Sequence, residues 1–376
     1  MIEPFEFHRE LERNGLRFYT GVPDSLLKDL CAYISDHVPP QDHVINANEG
    51  AAVALAAGYH LATGRLGVVY MQNSGLGNAV NPLLSLADAA VYAIPMLLLV
   101  GWRGDPGVAD EPQHITQGRV MPELLEAIGL TYDVIGPGST DYSEVIARAV
   151  QATVQESRPH ALLIRKGTFG PYPERVRNAG GFTRAEAVEC VLDGLQADDL
   201  LVSTTGMTSR EVFAYRERSG QGHDRDFLTV GSMGHASQIA LGLAGAQPGR
   251  QVFCLDGDGA ALMHLGSLAI IGSQAPRNLK HVLINNGAHD SVGGQPTAAT
   301  RIDMPAIARA CGYLSAEIAT SAQEARAGVQ GLHETDGPAF MEIRVASQPY
   351  TEAGRPTTTP VENKAAFMRA LGHGRG

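Results

Sequence analysis

Asp258 stands in Leu-Asp-Gly-Asp-Gly-Ala (255–260), and Asn-Asn-Gly (285–287) begins 27 positions after it, at Asn285. The two segments bring together a carboxylate, a side-chain amide and a backbone carbonyl. These are hard oxygen donors, and they suit Mg²⁺ better than zinc. Each segment follows an apolar run, 252–255 in one case and 281–284 in the other, so each reads as a strand end. The chain between them is long enough for one crossover helix, and a parallel sheet sets neighbouring C-terminal ends side by side. Gly257 and Gly259 let the backbone approach a ligand, and the helix that follows offers N–H groups to a phosphate. An Asp-Gly pair after a strand is in general only a turn. The second motif, at a second strand end, makes the pair read as a magnesium-diphosphate anchor.

Glu49 is the other carboxylate whose setting suggests chemistry. It lies in Asn-Ala-Asn-Glu-Gly-Ala-Ala-Val-Ala (46–54), where a strand gives way to a helix of small apolar residues. An acid at a helix start is favoured by the macrodipole alone. In dry surroundings, however, such a group gains a raised pKa and can exchange a proton with a ligand nitrogen. The small side chains permit close packing against another surface, as a partner subunit would require. Asp24, in Gly-Val-Pro-Asp-Ser (21–25), also sits at a strand-to-helix junction, where a helix cap is the plain alternative. His114 lies in a polar, loop-like stretch, Glu-Pro-Gln-His-Ile-Thr-Gln-Gly (111–118).

The elements that must position these groups alternate throughout the chain. Strand-like runs fall at 16–19, 43–46, 66–71, 95–100, 132–135 and 160–164, then at 200–203, 227–230, 251–255, 281–284 and 339–345. Helical stretches fall at 25–35, 50–61, 120–128, 142–155, 183–194, 235–246, 260–271 and 302–310. The fold class expected is α/β, with two doubly wound parallel-sheet domains. Breaker residues between 167 and 181 divide them into 1–170, a linker at 171–182, and 183–376. The halves share the alternation but no visible sequence identity, which makes them candidate structural cousins.

Composition narrows the partners. A net charge of −11 argues against nucleic acid, which wants a basic face. Cys31, Cys190, Cys254 and Cys311 are scattered without metal or redox spacing, as expected of free thiols in a reducing compartment. No signal-peptide pattern opens the sequence, and the apolar run near 94–100 is far too short to span a membrane. A cytoplasmic protein without a membrane partner is expected.

With Asp-Gly followed 27 residues later by Asn, and a lone glutamate in the other half, the chain resembles the thiamine-diphosphate-dependent enzymes. The resemblance covers essentially the whole chain and leaves no room for the large middle domain of some members. It implies a pyrimidine-binding domain, then a diphosphate-binding domain, with thiamine diphosphate and Mg²⁺ as cofactors. Carried onto this sequence, Asp258 and Asn285 bind magnesium through their side chains and Gly287 through its carbonyl. Gly257, Gly259 and Ala260 face the diphosphate. Glu49 bonds the aminopyrimidine and promotes formation of the carbon nucleophile at C2. Met233, in Gly-Ser-Met-Gly (231–234), supports the bent cofactor, although a Met is otherwise core filler. Ser74 and Asn78, in Asn-Ser-Gly-Leu-Gly-Asn (73–78), line the pyrimidine. Asp24 handles the proton that follows loss of CO₂, and His114 faces the substrate.

Segments 21–25, 48–52, 72–78, 101–104 and above all Asn-Asn-Gly-Ala-His-Asp-Ser-Val-Gly-Gly-Gln-Pro-Thr (285–297) are similar to the branch of 2-oxo acid decarboxylases acting on phosphonopyruvate and sulfopyruvate. The implied substrate is a small anionic 2-oxo acid. The implied reaction converts 3-phosphonopyruvate to phosphonoacetaldehyde and CO₂ in phosphonate biosynthesis. Arg103 and Arg119 are the cationic candidates for the phosphonate, and the loop 291–297 could close over the substrate. Because the two ends of the cofactor fall to different domains, active sites between the subunits of a homodimer or homotetramer are expected. Three alternatives stay open: a sulfopyruvate decarboxylase, a carboligase like acetolactate synthase, and a non-catalytic nucleotide-binding regulator. Against the last, no Walker segment and no strong dinucleotide fingerprint is present.

Overall fold

The structure is a computed structural model and describes residues 1–173, 181–347 and 354–373. These fall into two compact units, one of Met1–Arg175 with Val292–Pro296 and one of Val176–Ser291 with Thr297–Gly376. Most of the expected linker, 174–180, lies outside the described residues.

The first unit carries β1 (Phe18–Gly21), β2 (His43–Ile45), β3 (Gly67–Gln72), β4 (Leu97–Gly101), β5 (Thr131–Ile135) and β6 (His160–Ile164). They form one all-parallel sheet in the order β2-β1-β3-β4-β6-β5. The inner strands are buried along almost their whole length because helices cover both faces. On β4, Leu97 and Leu99 join one core cluster while Leu98 and Val100 join another, on the opposite face. The edge strands β2 and β5 are only half buried.

The second unit carries β7 (Leu200–Ser203), β8 (Asp226–Leu228), β9 (Val252–Gly257), β10 (Leu279–Asn285), β11 (Ser315–Ala319) and β12 (Ala339–Arg344). Their order is β11-β12-β10-β9-β7-β8, again all parallel. Read from the other edge and renumbered from its first strand, this is the order of the first sheet. The two halves are therefore the same topology used twice. In both, the chain leaves the first strand to one side and returns on the other, so the crevice for a ligand opens at the ends of β1 and β3, and of β7 and β9.

Three expectations need correction. The helix expected at 25–35 starts later, as Lys28–His37, because the turn in which Leu26 N donates to Asp24 Oδ2 occupies its first residues. The helix expected at 260–271 is two helices, Asp258–Met263 and Gly266–Gln274, broken where His264 leaves helical geometry at ψ +51°. β11 was not expected: it is a short edge strand, exposed at Glu317 and Ile318, and lacks a continuous apolar run.

Candidate active site

In the first unit, Glu49 opens the helix Glu49–Thr63, which is capped by the Asn48 side chain bonding the N–H groups of Gly50 and Ala51. The loop after β3 folds over the acid. Asn78 Nδ2 donates to Glu49 Oε2 at 2.8 Å. Gly75 presses directly on the carboxyl, since a methyl group added there would stand 2.4 Å from Glu49 Oε1. Burial raises the Glu49 pKa, and the Asn78 bond only partly offsets it. Ser74 is near by sequence, but its hydroxyl accepts from Gln72 Nε2 at 2.6 Å. The structure thus joins Glu49 and Asn78 directly and leaves Ser74 on its own strand end.

Asp24, at the end of β1, is fully buried. Its Oδ2 accepts from Leu26 N at 2.9 Å, whereas Oδ1 has no partner among the described residues. Burial pushes its pKa up to about 6, against the Leu26 N–H and the charge of Arg103. Gly101 at the end of β4 makes room for it: an added methyl group would meet Asp24 Oδ2 at 2.0 Å. Arg103 Nη1 donates to Ser25 Oγ at 2.9 Å, and its Nε donates to Asp110 Oδ2 at 2.8 Å. Burial works against the charge of Asp110, yet the guanidinium and the N–H groups of Glu111 and Gly104 hold its pKa well below the usual carboxylate range. Arg103 is therefore a neutralised, structural fork and not an open cation, and Arg119 is exposed. His114 is buried in the helix Pro112–Arg119 instead of lying in a loop. Its Nδ1 is unpartnered among the described residues, and burial and then Arg103 lower its pKa.

In the second unit, the register pairs Ile284 with Gly257, so Asn285 and Asp258 leave adjacent strands at the same level. Asp258 is buried, accepts from the Thr297 hydroxyl, and has its pKa pushed up to about 6 by burial. Asn285 Nδ2 donates to Glu342 Oε1 at 2.6 Å, which fixes the amide so that oxygen and nitrogen are distinguished. Gly287, at φ +67°, offers a carbonyl that accepts from Thr297 N at 2.9 Å and keeps a second lone pair. Gly257 caps the helix Asp258–Met263, with Gly259 and Ala260 in its first turn, where N–H groups lack intrahelical acceptors. A methyl group at Gly259 would stand 2.9 Å from His289 Cε1 and 3.4 Å from Met233 Cε. The strand ends therefore close around a spot kept free of side chain, with Met233 as one wall.

Four residues escaped the sequence reading. Glu342 is wholly buried in β12 and also takes Arg344 Nη2 at 3.1 Å. Thr297 ties Asp258 to Gly287. The Thr204 hydroxyl, just after β7, is buried without a partner among the described residues, and its methyl lies 3.7 Å from where a Gly257 side chain would begin. His289 lies against Gly259, with burial pushing its pKa down to about 4. A charged residue inside an apolar strand, as in Phe-Met-Glu-Ile (340–343), was the available signal for Glu342. The other three required the fold.

This arrangement fits thiamine diphosphate with Mg²⁺. Taken by itself, the first unit holds a buried, protonatable acid, and in the second a carboxylate, an amide oxygen and a carbonyl stand together at neighbouring strand ends. A helix start and the unpaired Thr204 hydroxyl stand ready for anionic oxygens.

Residues 7–126 match the thiamine pyrophosphate enzyme, N-terminal TPP binding domain, and residues 204–343 match the corresponding C-terminal TPP binding domain. The chain is 38% identical to a phosphonopyruvate decarboxylase of Streptomyces viridochromogenes, over 94% of this chain and 91% of the relative. It is 30% identical to a sulfopyruvate decarboxylase of Methanosarcina acetivorans, over 80% of each. A solved thiamine diphosphate-dependent 4-hydroxybenzoylformate decarboxylase of Rhodococcus jostii RHA1 aligns with TM-score 0.40 and 14% identity, covering 93% of this chain and 100% of that one. No helix among the described residues is long and apolar enough to cross a membrane. The chain belongs to the thiamine pyrophosphate enzymes, among their two-domain 2-oxo acid decarboxylases.

Proposed function

We propose that this protein decarboxylates 3-phosphonopyruvate to phosphonoacetaldehyde and CO₂, as a cytoplasmic step of phosphonate biosynthesis. The first unit would serve as the pyrimidine-binding domain and the second as the diphosphate-binding domain, each pocket being completed by two chains of a homodimer or homotetramer. In support of subunit pairing, the first unit leaves Leu55, Leu61, Leu84, Val91 and Tyr92 exposed.

When bound, thiamine diphosphate supplies a carbon nucleophile and an electron sink for the bond that releases CO₂. Glu49 would hold a proton at the pyrimidine ring nitrogen, with Asn78 and Gly75 keeping it in place and water away. Ser74 would touch the same ring from the β3 loop. Asp258 and Asn285 would bind Mg²⁺ through side-chain oxygens and Gly287 through its carbonyl. Gly257, Gly259 and Ala260 would present backbone to the diphosphate, and Met233 would buttress the cofactor. His114 would face the substrate with its unpartnered Nδ1.

The observation that carries the reading is Asp24: a fully buried acid just after β1, with one oxygen unpartnered among the described residues and its pKa pushed up to about 6. Such a group can protonate the carbon from which CO₂ has left. That step separates release of an aldehyde from transfer to a second oxo acid. The relatives named above favour a phosphonate head over a sulfonate one by identity and by coverage. The test is a decarboxylation assay with phosphonopyruvate, sulfopyruvate and pyruvate, with products identified. Phosphonoacetaldehyde formed at the highest kcat/KM is expected. Faster turnover of sulfopyruvate would reassign the substrate, an acyloin product would indicate a carboligase, and nucleotide binding without thiamine diphosphate binding would remove the enzyme reading altogether.

A further inference from the structure

Gln295 has no part in the assignments above. It lies in Val292–Pro296, a segment that belongs to the first unit. The residue is 4% exposed, and neither Nε2 nor Oε1 of its carboxamide has a hydrogen-bond partner among the described residues. A buried amide unpaired at both ends is costly, and native proteins rarely keep one unless another group completes it.

The local backbone holds it there. Gly293 and Gly294 have φ +113° and +72°, a region that side chains disfavour. Their turn brings the carboxamide back over Gly293. A methyl group added at Gly293 would stand 3.0 Å from Gln295 Nε2, 3.2 Å from Oε1 and 3.1 Å from Lys28 Cβ. Lys28 is the first residue of the helix Lys28–His37, whose start carries no side-chain cap. A helix start favours negative charge, and a primary amide brings two N–H donors. Of the cations expected from sequence, Arg103 is already clasped by Asp110.

We propose that Gln295 is a specificity-determining residue whose carboxamide donates hydrogen bonds to the tetrahedral anionic head of the 2-oxo acid, beside the start of the helix Lys28–His37. This rests on the reaction proposed above, since pyruvate has no such head. Gln295→Glu keeps the size of the side chain, removes the donors and sets a negative charge against the head group. Gln295→Asn keeps the donors and withdraws them by one methylene.

The experiment uses protein loaded with thiamine diphosphate and Mg²⁺ and measures kcat and KM for phosphonopyruvate and pyruvate separately. In Gln295→Glu the preference for phosphonopyruvate over pyruvate should fall by at least about tenfold, through KM, with a smaller fall in Gln295→Asn. Calorimetric affinity for thiamine diphosphate should hold. Equal losses with both oxo acids, or an unchanged preference, would overturn the role of Gln295 while leaving the reaction intact. Should Gln295→Glu lose cofactor binding, the preference of Gln295→Asn decides by the same criterion. Wild-type protein that binds thiamine diphosphate but turns over no oxo acid with a tetrahedral anionic head would overturn the reaction and this role together.

Discussion

The two units repeat one strand order, yet equivalent strand ends carry opposite kinds of chemistry. After the second strand, the first unit has Glu49 and the second has Met233. After the third, one has the Gly75–Asn78 loop and the other Asp258. After the fourth, one has Arg103 clasped by Asp110 and the other Asn285 and Gly287. In the first unit, acids are buried with few partners, which suits moving protons. In the second, oxygens converge and are tied to one another, which suits holding a cation. The frame supplies crevices at fixed places, and the residues at strand ends decide what each crevice does.

That contrast can be broken most sharply at Glu49. Glu49→Gln should leave calorimetric binding of thiamine diphosphate in place while slowing C2–H exchange, followed by NMR, by about 10²–10⁴-fold. Exchange at the wild-type rate would show that proton work does not reside in the first unit. Glu342→Leu should weaken Mg²⁺ binding by about 10–100-fold, because the Asn285 amide loses its orienting partner. Thr297→Val, which removes the hydroxyl bonded to Asp258, should give the same kind of loss at about the lower end of that range. If either variant changed C2–H exchange but not metal affinity, the division of labour would need redrawing.

The smallest effect concerns stability and runs against activity. The Asp24 pKa is raised from 3.8 to about 6 in the folded protein. Its neutral form therefore favours folding, a contribution complete below pH 3.8 and lost as the pH rises through about 6. Asp24→Asn should stabilise the cofactor-free protein at neutral pH, by up to about 3 kcal/mol, and have little effect near pH 4. Urea unfolding at the two pH values measures this, while aldehyde release by the loaded enzyme should fall. A variant no more stable at neutral pH would mean that the buried acid is solvated or paired.

Much of this was legible in the sequence because parallel strands buried on both faces are written as unbroken apolar runs, and the key residues sit just after them. Val-Phe-Cys-Leu before Asp256 and His-Val-Leu-Ile before Asn285 announce both the strands and the ligand positions. Edge strands carry no such run, so the sequence does not announce β11 and places β8 at 227–230 where the structure has Asp226–Leu228. The partners of the site were harder to see. Thr297 and Glu342 lie 39 and 57 residues from the atoms they hold, and only closure of the sheet brings them near. Arg103 stands in sequence as a candidate for the phosphonate because nothing local marks Asp110 as its counter-ion.

Gly75 carries no functional group, yet the glutamate carboxyl lies where its side chain would be. A mutational survey that ranks positions by reactive side chains would pass over it. Even alanine there would displace the acid, so the substitution should mimic deletion of Glu49 itself, with cofactor retained and exchange lost. The setting of the acid thus depends on a residue whose whole contribution is an absent atom.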